Sequence, residues 1–197
     1  MHHPSLGEIV EARSGGWGLT LSLPAFQPFY ERWDGYGGER LDTRDDDEKA
    51  GRFRIRLLPV LVDGPGLHGP QPPSKAQVAA VAYLQANQHR IAEAVRTALV
   101  KQGPEVFPWD HIEAGVSEET RASLASPEWM MQVVELQSVV VGFVDHEGLA
   151  RVGFAFHSEI LEPEHGVSVV LHRDQPIQVG TWDDLMALEP RDEDDRG

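Results

Sequence analysis

An α+β domain, built as a mostly antiparallel sheet with one long amphipathic helix packed on one face, is what this sequence predicts. Three observations lead to that fold class. Apolar and polar residues alternate in Leu19-Thr20-Leu21-Ser22-Leu23 and in Arg52-Phe53-Arg54-Ile55-Arg56-Leu57, which is the period of a half-buried strand. One stretch near the middle repeats its apolar residues at the helical period. After residue 130 the chain becomes a succession of apolar, β-branched runs separated by polar turns.

Taken in order, Glu8 to Arg13 and Trp17 to Leu23 read as two strands joined across Ser14-Gly15-Gly16. From 31 to 51 the chain is polar and glycine-rich, with Asp45-Asp46-Asp47-Glu48 at its centre, and is expected to be a mobile acidic loop. Arg52 to Leu57 follows as a strand with Phe53, Ile55 and Leu57 on one side and three arginines on the other. Cross-strand pairing of those arginines with Glu8 or Glu11 is the simplest reading; holding an anion or an acidic segment is the functional one. Pro65, Pro70, Pro72 and Pro73 then exclude regular structure.

Ser74-Lys75-Ala76-Gln77 has capping-box spacing, in which the hydroxyl and the Gln amide satisfy each other's orphan backbone groups. Val78, Val81, Leu84, Ile91, Val95 and Ala98 then continue at helical spacing until Gly103-Pro104, predicting one helix of roughly 40 Å. Residues 117 to 125 suggest a short second helix. Met131 to Val144, Arg151 to Phe156, Val167 to His172 and Ile177 to Val179 read as four closing antiparallel strands. A single domain is expected over 1–188, with a disordered acidic tail over 189–197.

Charge is the most unusual global property. Lys and Arg number 17 against 32 Asp and Glu, a formal net charge of -15, which repels nucleic acid and anionic lipid and attracts basic partners. The absence of Cys excludes disulfides, thiolate metal sites and cysteine nucleophiles, and favours a reducing compartment. No secretory-type start and no apolar run of membrane-spanning length are seen, so a cytoplasmic location is expected. Basic residues that are nearly all Arg, with Asn87 as the only Asn, suggest a GC-rich bacterial source.

Standard catalytic signatures are missing: there is no phosphate-cradling glycine loop, nucleophile elbow or His-Glu-x-x-His. The best local constellation is Glu162-Pro163-Glu164-His165-Gly166 between two predicted strands, with His157 before it and His172 after it. Imidazole and carboxylate groups converging there could hold a divalent metal or form an acid/base pair. The plainer reading is a turn shaped by Pro163 and Gly166 with solvated carboxylates. Asp145-His146-Glu147-Gly148 is a polar turn, and Trp109 of Trp109-Asp110-His111 reads as an anchor for the loop after the helix.

Gln77 to Gln88, followed by Ile91 to Leu99, resembles the long helix of an uncharacterised bacterial domain-of-unknown-function family, family 6985. Gly153-Phe154-Ala155-Phe156, Glu164-His165-Gly166-Val167 and Val179-Gly180 look like that family's closing motif of strand, Glu-His-Gly loop and hairpin. The resemblance covers the C-terminal two thirds of the chain. The family's Trp-Asp pair ahead of Glu-His-Gly is replaced by Ile160-Leu161-Glu162-Pro163, so only Glu164, His165 and Gly166 carry over. What the resemblance implies is a cytoplasmic bacterial α+β domain without established catalytic activity, similar to small acidic immunity proteins that neutralise toxins.

These observations predict a non-enzymatic binding module that meets a basic protein partner, a toxin among the candidates, through Asp45, Asp46, Asp47, Glu48, Glu162 and Glu164. Neither nucleic acid nor membrane is an expected partner, no cofactor is required, and the oligomeric state stays open. The alternative is a metal-dependent enzyme or metal-binding regulator using Glu162, Glu164 and His165, with His157 or His172 as a further ligand.

Overall fold

The computed structural model describes residues 2–12, 16–30, 32–33, 40–41, 51–59, 71–107, 129–158, 161 and 164–186. In chain order the first elements are β1 (His2–His3), β2 (Gly7–Glu8), β3 (Val10–Glu11), β4 (Trp17–Ser22) and a 3-10 helix (Pro24–Tyr30). They are followed by β5 (Arg32–Trp33), β6 (Arg40–Leu41), β7 (Arg52–Leu57), α1 (Lys75–Ala86) and α2 (Gln88–Val106). The chain closes with α3 (Met130–Val133), β8 (Glu135–Val141), β9 (Val152–His157), β10 (Val167–His172), β11 (Gln175–Gly180) and α4 (Trp182–Met186).

Period-two alternation produces the main sheet, which has seven strands in the order β11-β10-β9-β8-β7-β4-β3. Its pairings are antiparallel except for β7 against β8, which run parallel with Ile55 opposite Val139. A parallel pair needs a crossover connection, and α1 and α2 lie on the intervening chain. The molecule is therefore α+β with a mainly antiparallel sheet, as the alternation predicts. One face of the sheet carries Leu19, Leu21, Phe53, Ile55, Val139, Phe154 and Val169, all buried in one core with Val81, Leu84, Ile91, Val95 and Leu99 of the helices. Burial of this apolar area is the main stabilising term.

The helical stretch differs from the single helix expected. It divides at Asn87, whose backbone leaves helical geometry (φ -121, ψ 20). Asn87 donates both its backbone N–H (3.0 Å) and its side-chain amide (2.9 Å) to the Tyr83 carbonyl, so the local side-chain bond competes with helix continuation. The capping box at Ser74 is present as predicted. Gln77 does more than cap: it is buried, and its amide also donates to the Leu58 carbonyl at 2.9 Å, fastening the start of α1 to the end of β7. Helix α2 continues past Gly103-Pro104 to Val106; Gly103 is where Met130 of α3 packs, and a β-carbon there would overlap its side chain.

Three other local expectations are revised. Met130 to Val133 is a helical turn rather than the start of a strand, and β8 begins only at Glu135. Within the 31–51 region, residues 32–33 and 40–41 pair antiparallel. The last hairpin turns at Arg173 and Asp174, tighter than expected, with Arg173 at φ 58. The helix expected at 117–125, the Trp109-Asp110-His111 anchor, the acidic run Asp45 to Glu48 and the 189–197 tail all lie outside the described residues.

Candidate functional site

The Glu164-His165-Gly166 turn enters β10 at the corner where β9 ends and α4 begins. Gly166 has φ +59, a left-handed conformation that L side chains seldom adopt, and a β-carbon there would meet the Trp182 indole and the Phe156 carbonyl. Glycine is required on both counts. Trp182 is held over it by two bonds, its backbone N–H to the His165 carbonyl at 2.8 Å and its indole N–H to the Phe156 carbonyl at 3.2 Å. The first turn of α4 is capped by its own sequence: the Asp184 carboxylate accepts from the Thr181 N–H at 2.8 Å, and the Asp184 N–H returns to the Thr181 carbonyl at 3.1 Å. Ser168, fully buried, donates its hydroxyl to the Thr181 carbonyl at 2.6 Å. The motif is thus a braced corner whose geometry is set by Gly166, Ser168, Trp182 and Asp184.

His165 projects from this corner and is half exposed. Glu164 approaches its Nε2 at 3.9 Å and Asp183 its Nδ1 at 3.6 Å. These carboxylates meet opposite nitrogens of the ring, so they do not converge on one point. Among the described residues no group of three His, Cys, Asp or Glu side chains is placed to share a metal ion. His157 ends β9 in register with Glu135. His172 is at the far end of β10, about 17 Å along the strand from its start. Of the residues predicted for partner binding, Glu164 is described and highly exposed, whereas Asp45, Asp46, Asp47, Glu48 and Glu162 lie outside the described residues.

A second polar corner surrounds His172. Its Nε2 lies 2.9 Å from the His146 carbonyl, and the two imidazoles meet edge to face at 6.1 Å. Burial holds the His146 pKa below its ordinary value of 6.5, with Arg151 and His172 adding to the effect and Asp145 opposing it. Arg90 on α2 pairs with Asp174 at 2.8 Å and also donates to the Tyr83 hydroxyl, tying both helices to the β10–β11 turn. These contacts are structural ties between helix and hairpin.

Trp182 and Asp183 were not among the predicted site residues. Thr181-x-x-Asp184 is a capping signal in the sequence and points to the short helix that carries them. A domain of unknown function, DUF6985, matches residues 52–186. The chain is a member of the DUF6985 family. The DUF6985 region starts at the first residue of β7 and stops at the last residue of α4, so it includes the Glu-His-Gly corner and leaves β1 to β6 outside. No curated protein and no solved structure matches the chain.

Proposed function

We propose that this DUF6985 protein is a non-enzymatic acidic binding module that occupies a basic surface on a protein partner, in the manner of an immunity protein neutralising a toxin. The observation that carries this reading is the formal net charge of -15. Among the described residues, the side chains of Glu164, Asp183 and Glu147 are 86%, 79% and 78% exposed. A field of that sign accelerates encounter with cationic proteins and discriminates against nucleic acid. A cysteine-free chain suits a reducing bacterial cytoplasm, and no helix among the described residues is long and apolar enough to cross a membrane.

The test is growth rescue. The product of the adjacent reading frame, expressed alone, is expected to arrest growth, and coexpression of this chain is expected to restore it through a complex that weakens as salt rises. A harmless neighbour, with no salt-sensitive complex on size exclusion, overturns the reading. The metal-dependent alternative rests on Glu162, Glu164 and His165. Metal analysis together with a thermal shift on adding Zn²⁺, Mn²⁺ or Ca²⁺ decides it.

A further inference from the structure

An open groove of about 830 Å³ lies over β4, on the face of the sheet turned away from α1 and α2. Alternation puts it there. Ile9, Leu19, Leu21, Phe53 and Ile55 are buried in the core with the helices, so Glu8, Val10, Gly18, Thr20 and Arg54 point to the opposite face. All five line the groove. Its floor is low at Gly18, where a β-carbon would meet nothing nearer than the Val10 carbonyl at 3.7 Å. Val10, 63% exposed, and Leu6 supply an apolar wall.

The charges on the two sides of β4 differ in sign. Glu8 and Glu11 belong to the β2–β3 side and Arg54 to β7, with Arg52 and Arg56 on the same face of that strand. Pairing of Arg54 with Glu8 or Glu11, the arrangement the sequence suggests, does not form. β4 separates β3 from β7, and register sets Thr20 rather than a carboxylate opposite Arg54. Glu8, Glu11 and Arg54 make no ion pair among the described residues. Their strands stand two spacings apart, about 10 Å. An acid and a base that face each other unjoined across a groove suit a ligand carrying both charges at that separation. A purely anionic ligand meets Glu8, Glu11 and the repulsive field of a chain with net charge -15, and a purely cationic one meets Arg54. A zwitterion is neutral overall and complements both walls.

We infer that this groove binds a short unblocked peptide of about three residues, extended across β4. Its ammonium sits against Glu8 and Glu11, and its carboxylate against Arg54 and the Thr20 hydroxyl. Three extended residues span about 10 Å, the separation of the two walls. A free amino acid holds its two charges about 3 Å apart and cannot reach both. The room over Gly18 takes the middle side chain, and Val10 and Leu6 make an apolar one the better fit. This site goes beyond the proposed function and does not rest on it.

The experiment titrates the full chain with the tripeptide Gly-Leu-Gly, its N-acetylated and C-amidated forms, and free leucine, following backbone amide signals by NMR. Gly-Leu-Gly is expected to bind and to shift the signals of Val10, Gly18 and Thr20. Blocking either end is expected to weaken it at least about tenfold, the loss of one charge-assisted contact. Free leucine is expected to bind no better than the blocked forms. Arg54→Gln should weaken Gly-Leu-Gly by the same factor and leave the amidated peptide unchanged, because both changes remove one contact. Glu8→Gln/Glu11→Gln should likewise leave the acetylated peptide unchanged, with circular dichroism checking that each variant folds. No binding of Gly-Leu-Gly, shifts confined to other parts of the chain, or equal binding of a blocked form or of free leucine overturns the site. So does an Arg54→Gln loss as large for the amidated peptide as for the free one. None of these outcomes bears on growth rescue, so this site and the proposed function fail separately.

Discussion

The two ends of the sheet follow different rules. In β9 and β10 five of six residues are buried in each strand, on both faces, and Phe154 stacks on Phe26 at 5.0 Å with an interplanar angle of 9°. At the other end β3 is two residues long, both are exposed, and only the preceding Ile9 is buried. A strand covered on both sides is held by packing on each face, whereas a two-residue edge strand flanked by carboxylates contributes little to stability and offers little backbone for another strand to pair with.

Substitutions should separate these roles. Phe154→Ala removes a fully buried ring and is expected to cost about 4 kcal/mol in urea unfolding. A loss well under half of that would mean the centre of the sheet can collapse around the gap, and the contrast between the two ends would weaken. Gly166→Ala forces a β-carbon toward Trp182 and the Phe156 carbonyl, with an expected cost on the order of 3 kcal/mol by the same measurement. Ser74→Ala deletes the acceptor for the Gln77 N–H and should cost about 1 kcal/mol. At the β3 edge, Val10→Thr should change stability by no more than about 0.5 kcal/mol, because the Val10 side chain is exposed.

The smallest expected effect is a pH slope at His146. Its folded-state pKa lies below 6.5, so the unfolded chain binds the proton more readily. The His146 contribution is therefore complete above pH 6.5, declines as pH falls through 6.5 toward the folded value, and declines no further below it. His146→Gln should flatten that part of the stability profile, and an unchanged slope would assign it to other groups.

Much of the sheet was legible because local chemistry decides it. Arg52 to Leu57 alternates cleanly and forms β7 over those residues, and the β-branched run Val167 to His172 forms β10. Other features depend on contacts that spacing does not encode. The break at Asn87 leaves the apolar repeat in phase on both sides, so periodicity reads straight through it. Met130 to Val133 is apolar in a way that suits a buried strand or a buried turn of helix equally, and its packing on Gly103 decides the matter. Parallel pairing of β7 with β8 joins segments far apart in sequence. At the corner, Glu164, His165 and Gly166 were identifiable as a motif, but the reason for the glycine lies in Trp182, sixteen residues onward.

That parallel pair has a consequence for how the chain is made. Ile55 must wait for Val139, about 80 residues later, which at ribosomal speeds on the order of 5–20 residues per second is a delay of several seconds. During that interval β7 has β4 along one edge and an unfilled edge on the other, bearing Phe53, Ile55 and Leu57. Newly made chains are then most open to mispairing, and a cell producing this protein quickly would show the problem first as insoluble nascent product.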